Sequence, residues 1–485
     1  MKAGASAGRT RWLDLDLSRR LSAYFHVPDG LLPGGLIGAL RRWQREHLRR
    51  VLLKTVNKSP YYRERIGPRR AHSLLTAMSS SDPLDLLSAL PFTLPADLEQ
   101  DPEAFLTIGH GEVDGVISLP TSGSTGPGKR IFCSAADLAR TTAFFRNGMR
   151  YLVRPGVSDG GRGDRVALLM SGDRPGSVGD LLSRAMADIG VACSAPGFVP
   201  PGADGEASAM DALLALRPTC LVGVPSQVFG LARNERARAL GESVSTVLLS
   251  GDTVTPALRR GIAEGLGCAV FVHYGLTETG LGGAVECPER AGCHMREADL
   301  LVEIVDEAGR AVPDGEWGEV AISTLTREAM PLLRYRSGDE GRIAPEPCAC
   351  GSVLRRLYAR GRLSERVPLP DGGMLRLADI DQVLYALPFV RGYAAILHEG
   401  QGGPAGMTLE VDLSAGNEAE RASESLRRIR EALTALPGAR VAESESAAAG
   451  PGFTVAARLA SGKADAAEVR RRQAKQVLIR QQFSF

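Results

Sequence analysis

Thr219-Cys-Leu-Val-Gly-Val224, Val247-Leu-Leu249 and Ala269-Val-Phe-Val-His273 are short, almost wholly apolar runs, separated by stretches at 226–240 and 256–266 that read as helices. A strand buried on both faces needs apolar side chains at successive rather than alternate positions, so this rhythm predicts a parallel sheet covered by helices. Upstream, Arg165-Val-Ala-Leu-Leu-Met170 continues the pattern as a strand and 178–189 as a helix. Residues 38–57 set Leu40, Trp43, Leu48, Val51, Leu52 and Val56 near helical spacing. From Asp299 the texture changes to strands and tight turns, with turn signals at 307–309 and 313–315. Past Gly361 a strongly charged helix at 418–436 alternates with short strands and with loops near 399–405 and 444–452. The expected fold is α/β. A large N-terminal domain (1–360) has mostly parallel, helix-covered sheets plus a strand-rich subdomain, and a small α+β C-terminal domain (361–485) joins it at 360–368.

The chain has 485 residues, 44% hydrophobic and 24% charged, the profile of a globular protein of two to four domains. A net charge of +2 calls for neither nucleic acid nor an anionic membrane as partner. The opening MKAGASAGRTRWLDLDL lacks the apolar run of a secretory leader, and no window offers a membrane span. Eight cysteines without a leader point to thiols or metal ligands in a reducing compartment, the cytoplasm by elimination. Only six of the 58 basic residues are lysine (Lys2, Lys54, Lys58, Lys129, Lys463 and Lys475). Each therefore merits separate consideration.

Thr121-Ser-Gly-Ser-Thr-Gly-Pro-Gly-Lys-Arg130 combines glycines, hydroxyls and one lysine, the composition with which a loop cradles phosphate oxygens. It nearly fits a P-loop, but Arg130 stands where Mg²⁺ requires a Ser or Thr hydroxyl. A surface loop is the plain alternative. His273-Tyr-Gly-Leu-Thr-Glu278 closes an expected parallel strand, where open α/β sheets hold ligands. Arg334-Tyr-Arg-Ser-Gly-Asp339 follows in the strand-rich region and Gly361-Arg362 at the domain joint. Two further groups, Cys287-x5-Cys293-His294 and Cys348-Ala-Cys350-Gly351, offer soft ligands from two loops. Tetrahedral structural zinc uses such a set, although buried thiols remain the alternative. The other cysteines, Cys133, Cys193, Cys220 and Cys268, read as core.

Taken in order, the four nucleotide motifs resemble those of the adenylate-forming superfamily over roughly residues 90–370. Ser59-Pro-Tyr-Tyr-Arg63, Leu90-Pro-Phe-Thr-Leu-Pro-Ala-Asp97 and the Cys/His groups look like its phenylacetate–CoA ligase branch. That resemblance implies activation of a small-molecule carboxylate, by default aryl, with ATP and Mg²⁺, then transfer of the acyl group to coenzyme A. Residues 361–485 become a mobile lid, and a homodimer is implied by analogy.

The implied roles are specific. Ser122, Gly123, Ser124, Thr125, Gly126 and Lys129 hold the β- and γ-phosphates. Tyr274 and Gly275 lie against adenine, Thr277 contacts the α-phosphate and Glu278 ligates Mg²⁺. Ser250, Gly251 and Asp252 flank adenine, although a strand-to-helix turn is an equal reading. Asp339 takes the ribose hydroxyls and Arg362 the ribose or α-phosphate. Lys463 is the catalytic lysine of the lid. Structural Zn²⁺ takes Cys287, His294, Cys348 and Cys350, with Cys293 substituting if Cys287 points away. His273 reads as a strand-end structural histidine or as a wall of the carboxylate pocket. Ser364 occupies a hinge position that is usually Asp, which keeps an acceptor other than CoA open. The remaining rivals are a P-loop NTPase and a catalytically silent relative.

Overall fold

The computed structural model describes the chain except residues 1–11, 29–30, 120–128, 155–162, 173, 201–202, 401–402, 414–418, 439, 442–453, 460–477 and 482–485. Two compact units form. One contains Met1–Asp164, Ser171–Ala195 and Phe271–Ala359; the other contains Arg165–Met170, Pro196–Val270 and Arg360–Phe485.

In the first unit the helix Gly35–Lys58 buries Leu40, Trp43, Leu48, Val51, Leu52 and Val56, the stripe read from the sequence. Trp43 Nε1 donates to the Ala298 carbonyl at 2.7 Å, which satisfies the one polar atom of a buried ring. Gly115–Leu119 and Lys129–Cys133 pair antiparallel, with Leu119 opposite Lys129. The glycine-rich motif therefore joins two strands of a hairpin. A P-loop leads from its strand into a helix whose N-terminus faces the phosphates, so this topology removes the P-loop reading. The helix Ala135–Leu152 starts only after the second strand. It is capped reciprocally, since Asp137 N donates to Ser134 Oγ at 3.2 Å and Ser134 N to Asp137 Oδ2 at 3.1 Å. Downstream, Leu300–Val305, Gly318–Thr324 and Tyr335–Ile343 form an antiparallel run. Cys293–Met295 bridges Arg356–Arg362 and Ala284–Glu286, and Ala284–Glu286 pairs with the end of Ala269–Tyr274.

In the second unit Arg165–Leu169, Cys220–Gly223 and Thr246–Leu249 are parallel neighbours, as their continuous apolar character predicts. Leu221, Val247 and Leu249 share a core with Phe229, Leu258 and Ile262 of the helices Pro225–Ala232 and Pro256–Leu266. The helix expected over 226–240 is two pieces, Pro225–Ala232 and Ala237–Gly241. Asn234 breaks it because its Oδ1 accepts from Arg236 N at 2.9 Å, an Asx turn that competes with the helical ladder. The same core continues into Leu375, Ile380, Leu384, Leu409 and Val455 of the C-terminal segment. That segment contains the antiparallel pair Val390–Gly400 and Gly403–Leu413, the parallel strand Thr454–Leu459 and the helices Leu377–Leu384 and Ala419–Leu433. Two of the cysteines read as core, Cys193 and Cys268, are only half-buried, whereas Cys133 and Cys220 are buried. Among the described residues no helix is long and apolar enough to cross a membrane.

Candidate active site

Lys129, the first residue of its strand, is 8% exposed. Its ammonium lies 2.9 Å from Glu278 Oε1 and 3.8 Å from Glu99 Oε1. The Tyr335 hydroxyl donates to the same Glu278 oxygen at 2.5 Å and accepts from Lys129 Nζ at 3.1 Å. Glu278 is 6% exposed and Tyr335 fully buried. Burial alone would raise the Glu278 carboxyl, but Lys129 and the Tyr335 hydroxyl outweigh it and hold the group below the ordinary carboxylate range.

Glu278 sits in a short 3-10 turn, Thr277–Thr279, which its own threonine closes. Leu276 N donates to Thr279 Oγ1 at 3.0 Å, and that hydroxyl donates to the Leu276 carbonyl at 2.9 Å. Arg327 Nη1 donates to the Glu278 carbonyl at 2.6 Å, while Asp137 accepts from Glu328 N and Ala329 N at 2.9 Å each. The helix behind the hairpin and the 326–330 loop thus brace the turn. Gly275 is required by space, since a Cβ there would meet the Leu281 carbonyl and lie 2.6 Å from His273 Cε1. His273 is buried against Phe144 and Phe145, and burial lowers its pKa to about 4. It is therefore neutral at physiological pH.

The Tyr274 hydroxyl donates to Asp339 Oδ2 at 2.7 Å, and Ser337 Oγ accepts from Asp339 N at 3.0 Å. A carboxylate oriented on one oxygen by a phenol still offers lone pairs on the other, the requirement for a vicinal diol. The first unit thus gathers Lys129, Tyr274, Gly275, Thr277, Glu278 and Asp339. Ser250, Gly251, Asp252 and Arg362 lie in the second. There Gly251 takes a left-handed φ of 90° and Asp252 Oδ1 accepts from Thr253 N at 2.7 Å. Arg362 N donates to Glu365 Oε2 at 3.1 Å across the turn Leu363–Glu365, which contains Ser364. Ser122, Gly123, Ser124, Thr125, Gly126 and Lys463 fall outside the described residues.

Sequence reasoning missed Glu99, Arg327 and Tyr335. For Tyr335 a signal existed: Tyr335, Ser337 and Asp339 alternate along one strand and are all buried, so a tyrosine two steps from Ser337 shares the face of Asp339. Nothing comparable marks Arg327, whose partner is a backbone carbonyl 49 residues away.

Cys287, His294, Cys348 and Cys350 converge, all buried, with their ligand atoms within 4.8 Å of one another. Cys287 Sγ is 3.6 Å from Cys348 Sγ, and Cys350 Sγ is 3.3 Å from His294 Nε2. Tetrahedral zinc with bonds of about 2.3 Å to sulfur spaces its ligands ~3.8 Å apart, whereas a disulfide needs about 2.05 Å. The observed spacing fits the metal. His294 Nδ1 lies 2.8 Å from the Leu354 carbonyl, a bond that fixes the proton there and turns the Nε2 lone pair toward the sulfurs. Burial pushes the Cys287 and Cys350 thiols up, so a cation is what would hold them as thiolates. Cys293 is directed elsewhere, with Sγ against the Val272 carbonyl at 3.5 Å, and does not take the place of Cys287.

A family model of AMP-binding enzymes matches residues 110–326. The phenylacetate–coenzyme A ligase of Thermus thermophilus is 33% identical over 204 residues, 41% of this chain and 46% of that protein. This chain thus spans less than half the length of that relative in the match. The phenylacetate–coenzyme A ligase of Pseudomonas putida is 27% identical over 318 residues, 64% of this chain and 68% of that one. Among solved structures, a 2-hydroxyisobutyryl-CoA ligase in the postadenylation state, in complex with 2-HIB-AMP, superposes with a TM-score of 0.69. It is 18% identical and covers 87% of this chain and 86% of its own, which establishes the shared mixed α/β fold. Residues 110–326 thus match the AMP-binding enzymes, and the chain is similar to phenylacetate–CoA ligases.

Proposed function

We propose that this protein is an ATP-dependent carboxylate–CoA ligase. A carboxylate oxygen attacks the α-phosphorus of ATP, the bond to the β-phosphate breaks and pyrophosphate leaves with its electron pair. The CoA sulfur then attacks the acyl carbon of the adenylate, its proton passes to solvent, and AMP leaves. The observation that carries this reading is the buried Lys129–Glu278 pair beside Tyr274–Asp339 in one unit. Lys129 supplies a point charge to departing phosphate oxygens, Glu278 a hard carboxylate oxygen for Mg²⁺, and Asp339 an acceptor for the ribose. Mg²⁺, when bound, neutralises charge on the phosphates. Thr277 and Gly275 bring the turn close to the α-phosphate and adenine, and Ser122, Gly123, Ser124, Thr125 and Gly126 complete the phosphate cradle.

The resemblance further assigns Arg362 to the ribose or the α-phosphate, Ser250, Gly251 and Asp252 to the border of adenine, and Lys463 to the charge that develops during adenylation. Residues 361–485 act as a lid on the domain 1–360, turning about Ser364. Such a swing has to separate Phe229 from Tyr385, whose rings are 4.5 Å apart, and to open the Glu206–Arg391 ion pair. A cytoplasmic location accords with eight cysteines none of which is joined in a disulfide.

Carboxylate-dependent ATP–pyrophosphate exchange over a panel of aryl and short acyl acids, with and without CoA, tests the proposal. Exchange with one acid, drained to AMP and thioester when CoA is added, is the expected result. Exchange that CoA cannot drain overturns the acceptor and implicates Ser364, and no exchange with any acid overturns adenylation. In the same assay Gly275→Ala is expected to lower exchange by ~10²-fold, because the Cβ has to displace the turn carrying Glu278 and a misplacement of about 1 Å is that costly.

The Cys287, His294, Cys348 and Cys350 centre is read as a structural zinc site with no open position. Elemental analysis of the purified chain is expected to find one zinc per chain, lost in the Cys348→Ser/Cys350→Ser variant. Chelation is expected to lower stability by about 4 kcal/mol where zinc had been at ~1,000 times its dissociation constant. Full metal content in the double variant would overturn the ligand set.

A further inference from the structure

Tyr335 is the group at this centre to which the reaction assigns no charge to carry. Its two chain neighbours are tied to Thr93, with Thr93 N donating to the Arg334 carbonyl at 3.1 Å and Arg336 N to the Thr93 carbonyl at 2.9 Å. Its ring is fully buried, and Lys129 Nζ stands 5.8 Å from the ring centroid. A phenol has one donor and two lone pairs, so a single oxygen can give a hydrogen bond to a carboxylate and take one from an ammonium. Tyr335 does both, toward Glu278 and Lys129.

Lys129 and Glu278 stand 2.9 Å apart and neutralise each other. Bound ATP and Mg²⁺ would offer them other partners, phosphate for Lys129 and the cation for Glu278. Each charge must then stay in place without the other's attraction, because a buried charge that drifts from its partner is heavily penalised. The Tyr335 hydroxyl is neutral and can stay bonded to both throughout that exchange.

We propose that Tyr335 is a positioning residue that holds Lys129 and Glu278 at fixed spacing while phosphate and Mg²⁺ take over as their partners. The inference rests on the ligase reading above. Tyr335→Phe keeps the buried ring and removes only the hydroxyl. Removal of such an outer partner costs ~10–100-fold in metal affinity or activity.

The test uses the full chain with the acid that gives exchange, and follows three quantities. These are kcat for ATP–pyrophosphate exchange, the Mg²⁺ concentration for half-maximal exchange, and the rate of thioester formation from CoA and preformed acyl adenylate. The last step uses neither Mg²⁺ nor the β- and γ-phosphates. Tyr335→Phe is expected to lower exchange ~10–100-fold and to raise the Mg²⁺ requirement, with thioester formation changed less than about twofold. Exchange within about twofold of the unaltered chain overturns the role of Tyr335 and leaves the ligase reading standing. An equal fall in both half-reactions, with a lowered melting temperature, also overturns it, since the hydroxyl would then be structural. Absence of exchange in the unaltered chain overturns the ligase reading and this inference with it.

Discussion

Glu278→Gln abolishes most carboxylate-dependent ATP–pyrophosphate exchange, with an expected fall of ~10²–10³-fold, the usual loss when one preorganised electrostatic group is removed from a water-excluded site. The amide is nearly isosteric and keeps an oxygen that Tyr335 can donate to at the position now 2.5 Å from its hydroxyl. It lacks the charge that pairs with Lys129 and that the proposed function gives to Mg²⁺. The same change has a second, separable effect. Lys129 is 9% exposed at its side chain and, among the described residues, would keep Glu99, 3.8 Å away and 39% exposed, as a counter-ion. Breaking a buried pair on one side costs about 3–5 kcal/mol, and Glu99 puts this case at the low end. Lys129→Met combined with Glu278→Gln removes the orphaned charge, so the double variant is expected to regain stability while exchange stays lost. Urea midpoints and exchange rates on the two variants check this together. Restoration of exchange in the double variant would remove both residues from the chemistry.

Asp299→Asn produces the largest expected loss of stability outside the active site, about 3–5 kcal/mol. Asp299 accepts a two-pronged pair from Arg20, Nη2 to Oδ1 at 2.6 Å and Nη1 to Oδ2 at 2.9 Å. It also accepts from Arg296 Nε at 2.7 Å and Thr326 Oγ1 at 2.6 Å. The carboxylate and Arg296 are 6% and 9% exposed at their side chains, so an amide leaves the buried Arg296 guanidinium facing Arg20 with no carboxylate between them. Burial would raise the Asp299 carboxyl, but Arg296 and Arg20 outweigh it and hold it well below the usual range.

The sign of the pH dependence follows. A depressed folded pKa gives stability that is full above the unfolded carboxylate value of about 3.9 and is lost as pH falls toward the folded one. The unaltered chain should therefore lose this contribution progressively below about pH 4, while the Asp299→Asn variant has none to lose. Parallel pH–stability curves for the two proteins would contradict the ion-pair account.

Short-range features were legible in the chain. The parallel strands around 165–249 are apolar at every position because both faces are covered, and Gly35–Lys58 carries one apolar stripe because one face is. The Cys/His groups were legible as ligand types. Their closure depends on His294 lying opposite Arg356 in the antiparallel pair, which brings the 348–350 turn over it. That register is set by the whole sheet.

The glycine-rich motif shows the boundary most plainly. Its composition announced a phosphate-binding loop, yet whether a helix or a strand follows was undecided until Lys129 proved to pair with Leu119. Most elements, their core faces and the residue types at the site can be read from the residues alone, because periodicity and motif spacing act over a few turns of chain. The partners come from packing. Lys129 meets Tyr335 across 206 positions, Tyr335 meets Glu278 across 57 and Arg20 meets Asp299 across 279. A buried charge takes whatever opposite charge or hydroxyl packing delivers within about 3 Å, and separation along the chain carries no record of that distance.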